Sequence, residues 1–136
     1  MKTPEKAPAY DLEERTAVFG EDVIELCLTL PTTPITSPLI TQIVKSATSV
    51  GANYCEADDA ESKPDFRHKI ALCRKEARET KHWCRMLAKA LSQYADALRL
   101  IWKEVNELHL IFARIVRTTD ANLRRERSAK KRPATA

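Results

Sequence analysis

A chain of 136 residues is long enough to bury one core and too short for two. Two glycines, and prolines kept near the ends or between periodic stretches, are too few turn formers for an all-β or α/β fold; the common Ala, Leu, Glu, Lys and Arg favour long helices. The net charge of +4 is uneven, because residues 114–136 carry +6 and residues 1–113 carry −2, which excludes a uniformly basic domain and predicts a polyanion-attracting arm on a slightly acidic body.

The first predicted helix runs from about Asp11 to Leu30. Asp11 can cap it, Glu13 and Glu14 suit the positive helix N-terminus, and Pro31 stops it. Leu12, Phe19, Val23, Leu26 and Leu30 form its apolar stripe at three-to-four spacing. After a proline- and threonine-containing loop at 31–37, Ser37-Pro38 opens a second helix, with proline at its tolerated first position. Its stripe is Ile40, Ile43 or Val44, Ala47, Val50 or Gly51, Tyr54 and Ala57. The small residues at 46–52 predict a close helix–helix approach; a phosphate cradle is the poorer alternative, since Gly51 stands alone inside a helical pattern.

Ser62-Lys63-Pro64-Asp65 restarts the chain, with Ser62 as cap and an acidic residue three positions on. From there Phe66, Ile70, Cys73, Ala77, Thr80, Cys84, Leu87 and Leu91 alternate four and three residues apart, the spacing of antiparallel bundle helices. The fourth helix begins near Asp96. Its inner stripe is Leu98, Ile101, Val105, Leu108, Phe112 and Ile115; a second apolar edge runs through Trp102, His109, Val116 and Leu123, with Leu110 and Ile111 beside it. An edge beyond the needs of one core predicts an interface with further copies, placed here at Trp102, His109 and Val116. Helices of 20–28 residues, about 30–42 Å long and matched in length, predict an up-down-up-down bundle over residues 11–119. Residues 1–10 read as an N-terminal extension, and 120–136 as a basic, disordered tail.

Little in the chain reads as catalytic. His68, His82 and His109 do not form an i, i+4 pair, and no HExxH, GxSxG, Walker loop or GxGxxG occurs. Glu79-Thr80-Lys81-His82 spells E-x-x-H once, whereas a di-iron bundle needs it twice with two further inward Glu. The favoured reading of Glu76, Glu79 and their basic neighbours is a solvated, salt-bridged face, so neither metal nor cofactor is expected. Cys27, Cys55, Cys73 and Cys84 lack metal spacing and read as apolar fillers with reduced thiols. Residues 1–9 contain no apolar signal core, and no run approaches the ~18 apolar residues of a membrane span; the expected location is cytoplasmic.

Several blocks in order, namely 10–19 (YDLEERTAVF), 46–54 (SATSVGANY), 56–57 (EA), 61–66 (ESKPDF), 69–70 (KI) and 75–83 (KEARETKHW), closely resemble the bacterial four-helix-bundle family also called the 23S rRNA-intervening-sequence protein family. The resemblance covers roughly residues 10–118. It implies a four-helix bundle assembling as a cyclic homopentamer, related to the accessory protein of diversity-generating retroelements, a basic pentameric barrel that partners a reverse transcriptase and its structured RNA. No catalytic residues carry over. The turn at 90–94 departs from the pattern in lacking a glycine, which predicts a tighter or partly helical connection, and the tail after Thr119 lies outside the match.

The functional expectation is a non-enzymatic oligomeric adaptor for structured RNA or a ribonucleoprotein, acting through Arg114, Arg117, Arg124, Arg125, Arg127, Lys130, Lys131 and Arg132. The alternative is a protein–protein scaffold whose tail serves solubility. No membrane or small-molecule partner is expected.

Overall fold

The computed structural model describes residues 11–131. Helix α1, Leu12–Thr29, starts where the Asp11 carboxylate accepts the Glu14 amide at 3.2 Å. It stops at Leu30, which is extended at φ −76° and ψ 138°, because the ring of Pro31 disfavours helical geometry in the residue before it.

Helix α2, Thr36–Asp58, begins two residues before Pro38, which the sequence pattern takes as its first position. The Thr33 hydroxyl accepts the amides of Ile35 and Thr36 at 3.2 and 3.1 Å, while the Thr36 hydroxyl donates to the Pro31 carbonyl at 2.6 Å. Pro38 still falls within the first turn, where its missing N–H has no intrahelical acceptor to lose.

Helix α3, Lys63–Ala90, is capped by Ser62, whose hydroxyl accepts the Asp65 amide at 3.1 Å. The connection to α4 is a 3-10 turn at Ser92–Tyr94, the partly helical link expected of a turn without glycine. Helix α4, Ala95–Lys131, contains 37 residues and is roughly 55 Å long. The four helices are therefore not matched in length, since α1 has only 18 residues.

The architecture is an all-α, up-down-up-down four-helix bundle. Helix α3 packs extensively on both α2 and α4, whereas α1 rests mainly on α2 and meets α4 along a thinner seam. The core takes Phe19 and Val23 from α1, Ile43 and Val50 from α2, Ile70 and Leu87 from α3, and Val105, Leu108 and Phe112 from α4. On α3, every predicted stripe residue from Ile70 to Leu91 is buried.

The small residues at the centre of α2 accept α1 closely, as predicted. A Cβ at Gly51 would lie 3.3 Å from Thr16 Oγ1 and 3.4 Å from the Thr16 carbonyl oxygen, while one at Gly20 would make an ordinary 3.7 Å contact with Thr48. The buried hydroxyls are served internally: Thr16 donates to Leu12 at 2.6 Å, and Thr80 pairs with Ser46 across α2 and α3 at 2.8 Å. Among the described residues, no buried side-chain nitrogen or oxygen lacks a hydrogen-bond partner.

Candidate nucleic-acid interface

Helix α4 outlasts the apolar stripe that anchors it. Its last buried residue is Thr119, yet the helix continues to Lys131. This corrects the expectation of a disordered tail from residue 120, as far as the described residues reach. Ala121, Arg124, Arg125, Arg127, Lys130 and Lys131 favour helix intrinsically, and cations in the last turns suit the negative end of the helix dipole.

Tertiary contacts also hold this segment, and they alter its charge. Arg67 of α3 grips Asp120 with two bonds, Nε to Oδ1 at 2.9 Å and an outer guanidinium nitrogen to Oδ2 at 3.3 Å. Lys63 pairs with Glu126. The Arg67 hydrogen bond draws the Asp120 carboxyl below its ordinary range, helped by the charges of Arg67, Arg124 and Arg74. Both acidic residues of the C-terminal end are thus engaged by cations from another helix. Arg114, Arg117, Arg124, Arg125, Arg127, Lys130 and Lys131 are all exposed, and none forms an ion pair among the described residues. They are spread along roughly 25 Å of helix. Arg132, the eighth residue expected here, lies outside the described residues.

The opposite charge collects on α1. Asp11, Glu13, Glu14 and Glu21 line a groove between α1 and α2. Burial and the charges of Glu25, Glu21 and Glu104 raise the Asp22 carboxyl above its usual range. Arg15, also on α1, is directed elsewhere, reaching Glu104 at 2.7 Å and Glu107 at 3.0 Å across the thin α1–α4 seam.

The three positions expected at an oligomer interface do not share an exposed edge. Val116 is a core residue, only 2 % exposed, and its placement at an interface is corrected. The reason is geometric: residues 102, 109, 116 and 123 are seven apart, and on a straight helix that spacing drifts by ~20° per step, here from the flank into the core. Trp102 remains 41 % exposed. His109 is half-buried against α3, where its Nδ1 lies 3.1 Å from Lys81 Nζ, which also donates to Asn106 Oδ1 at 3.1 Å. Burial, then the charges of Lys81, Arg74 and Arg78, push the His109 pKa down, leaving Nδ1 to accept from Lys81. The outward apolar positions of α4 are Leu100 and Leu110, together with Trp102.

The single E-x-x-H run does not converge with other ligands. Thr80 within it turns into the core, His82 lies edge-on to Trp83 at 4.9 Å, and Glu76 is pushed up by burial and by Glu79. Among the described residues, no three His, Cys, Asp or Glu side chains are grouped to hold a metal ion. The four cysteines are unpaired; burial raises the Cys73 and Cys84 thiols to about 12 and Cys27 to about 11. No described helix is long and apolar enough to cross a membrane.

Fold and surface together define a small helical bundle with a projecting basic helix and no convergent catalytic group among the described residues. The family model for the 23S rRNA-intervening sequence protein matches residues 10–114, and the chain belongs to that family. Its fold is similar to the crystal structure of a protein of unknown function from the S23 ribosomal protein family of Bacteroides thetaiotaomicron, 26 % identical, with a TM-score of 0.68 over 77 % of this chain and 97 % of that one. No curated protein matches. The family match ends at Arg114, so most of the basic helix end lies beyond it.

Sequence reasoning found the cations but missed Lys63 and Arg67, which occupy the two acids. Their only signal was two basic residues at the start of α3, which acquires meaning once α3 and α4 are known to run antiparallel.

Proposed function

We propose that this protein is a non-enzymatic, homo-oligomeric adaptor that binds structured RNA, or a ribonucleoprotein containing it, through the basic end of α4. The carrying observation is that seven exposed cations form no ion pair among the described residues, while the two carboxylates among them are held by Lys63 and Arg67. Such an array attracts phosphates without reading sequence, and its affinity falls steeply with salt. The acidic α1–α2 groove repels the same ligand, so an RNA approaches from the side of the bundle away from that groove. The ring of five copies is what the family resemblance implies. The outward Leu100 and Leu110 offer it a contact surface, and several arms on one ring add avidity. A cytoplasmic location and a reverse-transcriptase partner belong to the same reading.

The test is fluorescence anisotropy of a labelled structured RNA titrated with full-length protein at several salt concentrations. Tight binding with a steep salt slope, both reduced by truncation after Thr119, supports the proposal. No binding at low salt, or unchanged affinity after truncation, refutes it.

A protein–protein scaffold is the second reading. It is favoured by the apolar residues left outside, Leu28 at 83 % and Ile35 at 68 % exposure, which cluster at the end of α1 and the following loop. That reading predicts purified material free of nucleic acid.

A further inference from the structure

The groove between α3 and α4, far from the basic helix end, has an unusual lining. It brings Arg85 from α3 together with Arg99, Trp102 and Lys103 from α4, over a floor that includes Ala88 and Leu98. Three cations and one indole line it, and no carboxylate does. Among the described residues, the one carboxylate bonded to a lining cation is Asp96, which holds Arg99 loosely at 3.4 Å and is itself almost wholly solvent-exposed. Trp102 keeps 41 % of its surface open, and the Lys81 ammonium lies 5.8 Å from its ring centre. A large aromatic residue in this position is not needed to fill the core, because Leu98, Ile101 and Val105 already occupy the inward positions of this stretch.

We propose that this groove holds an unpaired base of the bound RNA, stacked on the Trp102 indole, with Arg85, Arg99 and Lys103 on the flanking phosphates. The inference rests on the RNA-binding reading above and gives it a second, structurally separate contact. The combination fits one ligand chemistry. An indole flanked by cations matches a flat π-face joined to anions, which is a nucleotide in a single-stranded segment. A base-paired duplex presents phosphates but no free base face, so it would engage the cations alone. The basic helix end, which carries no aromatic residue from Arg114 to Lys131, therefore supplies position, while Trp102 supplies preference for loops or bulges. The sequence pattern hid this site because Arg85 lies on a different helix and Trp102 reads as part of an apolar edge.

The test compares a hairpin RNA carrying an unpaired, adenosine-rich loop with a continuous duplex of equal charge, using the full-length protein. Trp102→Leu is expected to weaken loop binding by about 5- to 160-fold, the span for one stacked base, with the duplex affinity and salt slope nearly unchanged. Trp102→Phe, which keeps a stacking ring, is expected to recover most of the loss. In a Trp83→Phe background Trp102 is the sole indole, and its emission should be quenched by the looped RNA and not by the duplex. Loop affinity unchanged in Trp102→Leu, while truncation after Thr119 still weakens binding, overturns this inference and leaves the RNA-adaptor reading standing. Failure of the wild-type chain to bind either RNA overturns both. Loss of oligomers in Trp102→Leu on sedimentation, with RNA affinity unchanged, assigns the indole to a contact between copies and also overturns it.

Discussion

The two ends of helix α4 obey different physics. From Leu98 to Val116 the helix is held by burial: an inward residue every three or four positions, each nearly closed to water, packed mainly against α3. Beyond Thr119 it has no buried residue, and two ion pairs to α3 are the cross-helix side-chain contacts that replace the core. The first arrangement yields stability and tolerates little change in volume. The second contributes little stability, because exposed ion pairs are weak, but it fixes where positive charge projects. Stability and charge presentation are thus separated along one continuous helix, and the surface of one part can change without affecting the other.

Substitutions should reveal that division most strongly in the core. Phe112 is fully buried, with the Tyr54 ring 6.4 Å away, and Phe112→Ala should destabilise the fold by about 3–5 kcal/mol in denaturant titrations. Joint replacement of Arg124, Arg125 and Arg127 by Ala should move stability by less than about 0.5 kcal/mol per site while weakening the RNA binding proposed above. A large loss of stability in the triple variant would break the comparison.

The α1–α2 contact sharpens it. Gly51→Leu should cost about 1–3 kcal/mol, since a Cβ there already meets Thr16 at 3.3 Å. Gly20→Ala has ordinary room and should gain up to about 1 kcal/mol from helix propensity. Equal effects on the melting temperature would show that the helices do not approach as described.

Thiol labelling reports the same closure without mutation. At pH 8 Cys55, the exposed thiol, should react with Ellman's reagent first. Cys73 and Cys84, with pKa values pushed to about 12 by burial, should react only on unfolding.

The smallest effect is expected at the Arg67–Asp120 pair. Its hydrogen bond lowers the Asp120 pKa, so the contact is present above the ordinary value of 3.8 and is lost as the pH falls through the lower folded value. Amides of the last turns of α4 should then show lower protection factors below that pH, while those of residues 98–116 stay protected. Uniform protection across α4 under these conditions would contradict the division.

Much of this was legible beforehand. Asp11, Pro31 and Ser62 mark helix ends by local chemistry, and the three-four alternation from Ile70 to Leu91 names the inward face of α3 without reference to any other helix. The start of α2 was less legible, because Thr33 caps it from three residues before the helix, through a loop hydroxyl network. The α4 surface was least legible. Seven-residue spacing made Val116 look like an outer position, and only the true phase of a straight helix relative to its neighbours places it in the core.

The sequence alone determined the class of fold, the number and order of helices, the inward stripe of α3 and the location of the basic residues, since these follow from short-range periodicity and caps. Tertiary structure decided the length of α4 beyond its apolar stripe, the capture of Asp120 and Glu126 by Arg67 and Lys63, and the meeting of Arg85 with Trp102. Each of these depends on the antiparallel register of α3 against α4. That register is set by the summed packing of many side chains along both helices, and no local segment encodes it.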